Sequence, residues 1–217
     1  MKEQAGRVFS IGQDNRPLKG CTVSKEVRGG NPYIAYYSMG EGTDISAENF
    51  PYHKLIIVDQ GKLEAYGPQL GPLYLGPGQA VLTPRQSPVG LRTDLGVVFT
   101  EVTIEKDDYM NDLIKAGQVF TLKDLVPYQE GKIVNMDLIH TDTMKFLIMA
   151  FDKGTGLREH SAPGQALVFA LDGQATISYE GEKHLIEAGQ TFHFAKNGLH
   201  AVRAESKFKM ALLLTLD

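Results

Sequence analysis

The chain has one cysteine, Cys21, and no tryptophan. A single cysteine excludes an intrachain disulfide and a thiolate zinc cluster, so any metal must be held by histidines and carboxylates. No long run of one charge occurs either: 22 Lys and Arg stand against 26 Asp and Glu, a formal net charge of −4. That balance argues against nucleic acid as a partner. No segment approaches the roughly twenty uncharged apolar residues of a membrane helix, and the opening MKEQAGRVFSIGQDNR holds no apolar leader. No membrane association is expected, and the default expectation is a cytoplasmic protein. A Gly-x-Ser-x-Gly elbow, a phosphate loop and a nucleotide fingerprint are missing as well. What is present, 42% hydrophobic and 22% charged over 217 residues, is ordinary globular composition, with apolar material for one large core or two small ones.

An internal repeat decides between them. Val8-Phe9-Ser10-Ile11 reads like Val119-Phe120-Thr121-Leu122, and Gly20 with Val23 recurs as Gly131 with Val134, at a spacing of 111. Gly42 pairs with Gly154 and Gly61 with Gly173 at 112, then Gly78 with Gly189 and Pro84 with Ala195 at 111. One indel accounts for the drift. Two domains follow, residues 1–110 and 111–217. Between them EKDDYMNDLIKAG, residues 105–117, places Met110, Leu113 and Ile114 on one face with Gly117 as a C-cap, and predicts a short connecting helix. The rest predicts strands at 33–39, 54–59, 96–104, 144–151, 166–172, 174–180 and 208–216, punctuated by Gly and Pro. Gly173 and Gly181 sit where tight hairpins need a positive φ. Several strands, 144–151 and 208–216 above all, are apolar on both faces, as expected where two barrels cover each other.

The second repeat carries the most specific pattern. Gly154 is followed after five residues by His160, then SAPGQALVFALDG to Gly173; Gly189 begins AGQTFHFAKNGLH, ending at His200. This resembles the two cupin motifs, Gly-x5-His-x-His-x3,4-Glu-x6-Gly and Gly-x5-Pro-x-Gly-x2-His, over essentially the whole C-terminal half. The half is similar to small single-domain bacterial cupins of unknown function. The resemblance implies an all-β fold, two tandem cupin (double-stranded β-helix, jelly-roll) barrels in a bicupin arrangement. It also implies a pocket of three histidines and one carboxylate suited to a divalent transition metal such as Fe, Mn, Zn or Ni.

This sequence departs from that set. His160 and His200 fall on the first and last ligand positions, whereas Ala162 stands at the second His position and Ala166 at the carboxylate. Two neutral imidazoles hold a divalent ion weakly, so the expected additional donors are His193 and Gln165. Ala162, Ala166, Val168 and Ala170 are expected to line a pocket. Carried back by the repeat, Glu48, Phe50, Lys54 and Val89 occupy the equivalent N-terminal positions, and no metal is expected in that barrel; Glu48 and Lys54 facing inward as an ion pair is the alternative to a plain structural role. His53, His140 and His184 are expected to be structural or solvent-facing.

Two functions stay open. One is a metal-dependent enzyme of oxygenase, isomerase or decarboxylase type acting on a small molecule in the C-terminal barrel. The other is a non-catalytic metabolite-binding or scaffold protein with a metal-free pocket. Self-association is compatible with both.

Overall fold

The computed structural model describes residues 1–106 and 109–216. Among the described residues, nine strands of each half are laid out in the same way. In the N-terminal half, Gln79–Leu82, His53–Gly61, Val97–Ile104, Ile34–Met39 and Thr22–Arg28 neighbour one another in that order. A second sheet, Thr43–Glu48, Val89–Thr93, Leu63–Tyr66 and Leu73–Leu75, completes the jelly roll. The C-terminal half repeats this as Thr191–Phe194, Gln165–Asp172, Phe208–Thr215, Met144–Phe151 and Ile133–His140, with a second sheet of Gly156–His160, His200–Ala204, Gln174–Tyr179 and Glu182–Glu187. The expected strands are present, and the fold is all-β.

Registers coincide between the halves. Glu48 opposes Val89 and His160 opposes His200, in each case after a bulge in the strand pair. The hairpin glycines explain why these positions recur in the sequence. Gly61 and Gly173 have φ of +83° and +69°. A Cβ would lie 2.1 Å from the Gly96 carbonyl oxygen in the first and 1.7 Å from that of Lys207 in the second. Only glycine fits both the conformation and the space.

The halves are clasped together. Val8–Phe9 pairs with Thr191–Phe194 of the C-terminal barrel, while Val119–Thr121 pairs with Gln79–Leu82 of the N-terminal barrel. The two short strands are the repeat equivalents noted in the sequence, so each half lends its leading strand to the other. Beneath this clasp, Tyr36, Leu55, Ile57, Val98 and Val102 share one buried core with Phe146, Ile148, Leu167, Ala211 and Leu213. That core is what the strands apolar on both faces serve: one face fills a barrel, the other fills the space between barrels.

The expected connecting helix is corrected. Tyr109–Met110 is a short strand paired with His140 and Ile139, and Asn111–Gly117 is a series of turns; Asp107 and Asp108 lie outside the described residues. Asn111 accounts for the change. Its backbone N–H donates to the Leu138 carbonyl, continuing the strand pairing, and its side-chain oxygen accepts from the Leu113 N–H at 3.0 Å, a local bond that competes with a helix. His140 ends a strand rather than lying in a turn. Among the described residues no helix is long and apolar enough to cross a membrane.

Candidate functional site

His160 and His200 come together. They face each other across the strand pair with ring centroids 4.3 Å apart. Each is held the same way: Nδ1–H donates to a carbonyl two residues earlier, Arg158 for His160 and Gly198 for His200, both at 2.8 Å. Because a carbonyl only accepts, Nδ1 carries a hydrogen in both rings, and Nε2 of each is the nitrogen left to meet a ligand. His200 is buried and stacks on Phe194 at 4.1 Å, and His160 is exposed at the rim. Desolvation lowers the His200 pKa, outweighing the bond to Gly198, with the neighbouring His160 adding to the lowering; His200 is therefore neutral at pH 7.

The additional donors do not join them. His193 alternates with Phe192 and Phe194, so it lies on the other face of its strand, buried, with Nδ1 donating to the Glu3 carbonyl at 2.8 Å. Gln165 meets the Met1 amino group through Oε1. Strict alternation thus prevails over the bulge that would have turned Gln165 inward. No group of three or more His, Cys, Asp or Glu side chains poised around a metal position exists among the described residues. Anchored imidazoles suit a metal, but two of them fall short of the four-donor pocket. Ala166, Val168 and Ala170 do face the barrel interior, where they share a core with Phe151, Phe192, Phe194 and Phe208. The space the alanines leave is largely taken by phenyl rings. Ala162, half-buried, accepts from the Asn197 N–H through its carbonyl. Of the remaining histidines, His53 binds the Thr83 carbonyl at 2.5 Å and His184 packs on Phe192.

The N-terminal barrel differs at each of these points. Val81, Val97 and Met39 stand in its core where the C-terminal barrel has Phe192, Phe208 and Phe151, and a different set of side chains, Tyr37, Glu48, Phe50, Lys54, Ser87, Val89 and Glu101 among them, lines a cavity of about 50 Å³. Lys54 pairs with Glu101 at 3.1 Å, not with Glu48, which is exposed at the rim. The Lys54 ammonium also sits 4.0 Å from the centre of the Phe50 ring. Burial raises the Glu101 pKa, with Lys54 opposing. Glu101 went unnoticed in the sequence, although a lone carboxylate inside the run GVVFTEVTI was the available signal.

A third space, about 200 Å³, lies between the barrels, with Asp59, Lys123, Thr121 and Gln190 among its walls. Thr100 donates to Asp59 at 2.8 Å, and desolvation pushes this carboxyl up to about 7.

Residues 147–216 match the Cupin_2 family, described as a cupin domain. The whole chain superposes on a Cupin 2 conserved barrel domain protein from Leptotrichia buccalis with a TM-score of 0.88 at 24% identity, covering 99% of this chain and 98% of that one. It is also similar to salicylate 1,2-dioxygenase from Pseudoaminobacter salicylatoxidans, with a TM-score of 0.62 and 13% identity over 84% of this chain and 70% of that one. No curated protein matches. The match to the cupin domain thus covers residues 147–216, and the chain as a whole has the cupin fold.

Proposed function

We propose that this chain is a small-molecule-binding bicupin whose C-terminal barrel receives its ligand at His160 and His200. The observation that carries the reading is the matched anchoring of the two rings, each by Nδ1–H to a carbonyl at 2.8 Å. It fixes two Nε2 atoms side by side, one buried and one at the rim, an arrangement suited to a ligand that donates hydroxyl or amide hydrogens. The ligand enters from the rim, where His160 is exposed, and stops at the phenyl-filled interior. The likeness to salicylate 1,2-dioxygenase supports the fold and carries no chemistry across.

A metal-dependent enzyme is the second reading, favoured by the same anchoring, since metal-ligating histidines are commonly held through the opposite nitrogen. His160 and His200 would then be the protein ligands. One experiment separates the two. Thermal shifts are measured with hydroxylated organic acids and sugars in excess chelator, and separately after reloading with Fe, Mn, Zn or Ni. Stabilisation in chelator that is lost in His160→Ala and His200→Ala is expected. Near-stoichiometric metal retained through gel filtration, with no organic ligand bound in chelator, would overturn the metal-free reading.

A further inference from the structure

The N-terminal barrel has none of the family's ligand residues at the four equivalent positions, yet its interior is the more polar of the two. Glu101 is 5% exposed and Lys54 17% by side chain. Ser87, 3% exposed, lines the same cavity, and its hydroxyl has no hydrogen-bond partner. A buried hydroxyl left unpaired is destabilising, and Lys54 has three N–H donors of which the Glu101 contact uses one. We propose that this cavity binds a small uncharged molecule bearing hydroxyl and carbonyl groups, held by Lys54, Glu101 and Ser87.

Charge selects the class of ligand. Lys54 and Glu101 neutralise each other, so an anion entering beside them would meet the Glu101 carboxylate, and a cation would meet the Lys54 ammonium. A divalent metal is disfavoured for the second reason as well as for lack of donors. A hydroxyl group meets both partners at once: its oxygen accepts from Lys54 and its hydrogen goes to Glu101. A neighbouring carbonyl oxygen accepts from Ser87. The apolar walls, Ile45, Ile56 and Leu91, take the carbon skeleton. Size sets the length. At roughly 10–15 Å³ for each water-sized group, the cavity admits a molecule of about three carbons. The C-terminal barrel offers nothing equivalent, because Ala166 and Leu212 stand where Lys54 and Glu101 do.

The test uses hydroxyacetone as the probe, with acetate and ethylammonium as charged comparators of similar size, read by saturation-transfer NMR on the full chain. Saturation of hydroxyacetone alone is expected. It should fall at least fivefold in Lys54→Met/Glu101→Gln and in Val89→Phe, which fills the cavity without touching the ion pair, and at least twofold in Ser87→Ala. Melting curves identify any variant that has not folded, and the remaining variants then decide. Acetate or ethylammonium binding as strongly as hydroxyacetone would overturn the uncharged class. Absence of hydroxyacetone binding to the unsubstituted protein, or binding that survives the folded variants, would overturn the site. The measurement is repeated on His200→Ala: loss of the signal there would assign the probe to the C-terminal barrel and overturn the proposal while leaving the histidine-pair reading intact.

Discussion

The two barrels share a framework and differ in what fills it. The C-terminal barrel keeps two facing histidines, His160 at the rim and His200 buried, and closes its interior with Phe151, Phe192, Phe194 and Phe208. The N-terminal barrel keeps no histidine at these positions, but a cavity lies around its Lys54–Glu101 pair. Histidines at the family's ligand positions and an open internal space have therefore parted company, each surviving in a different half. Loss of a motif in a repeat says which chemistry has gone, not whether the pocket has gone with it.

Core truncation should break the symmetry of the halves most strongly. Phe208→Ala is expected to cost about 3–5 kcal/mol, and Val97→Ala, at the equivalent position, about half as much, because fewer buried carbons are lost. Denaturant unfolding checks both. Next comes the ion pair. Lys54→Met alone should destabilise by about 3 kcal/mol by stranding a buried carboxylate, whereas Lys54→Met/Glu101→Leu, which imitates the C-terminal interior, should recover most of that loss. A double variant as unstable as the single one would show that the charges are not what couples these positions.

Smaller effects test the clasp and the space between the barrels. Phe9→Ala should reduce hydrogen-exchange protection at Thr191–Phe194, in the barrel on the far side of the molecule's repeat, before it does so in Gln79–Leu82. The Asp59 carboxyl has a pKa raised from 3.8 to about 7, so the fold favours its protonated form. Both folded and unfolded states are protonated below pH 3.8; stability is lost as pH rises from there to about 7, and the loss is complete above it. Asp59→Asn, which can still accept from Thr100, should raise the melting temperature by about 4 °C at pH 8 and leave it unchanged near pH 3. A shift of the same size at both pH values would remove titration as its cause.

Much of the architecture was legible because its signals are local or periodic. Gly61 and Gly173 mark hairpins that tolerate no Cβ, and the runs at 144–151 and 208–216 announce strands covered on both faces. The pairing of His160 with His200 followed from motif spacing, and the register places them opposite each other. Other features depend on contacts that sequence does not display. Residues 105–117 have helical periodicity, but Asn111 supplies turn bonds and Tyr109–Met110 finds a strand edge, so tertiary pairing overrides it. The alternative reading paired Lys54 with Glu48 because the repeat carries both onto pocket positions; its partner, Glu101, comes from a strand that only the sheet order brings alongside. Gln165 depended on a possible bulge at Pro163-Gly164 that would have turned it inward, and its pairing with Thr215 runs on into Ala166 without a shift.

The lent strands give the molecule an unusual response to being cut. Cleavage near residue 110 would separate two fragments, each carrying an edge strand that belongs to the other's sheet and each with a bare edge of its own at Gln79–Leu82 or Thr191–Phe194. Such fragments are halves of a mutual template: apart, they expose unpaired backbone; mixed, they have a reason to find each other.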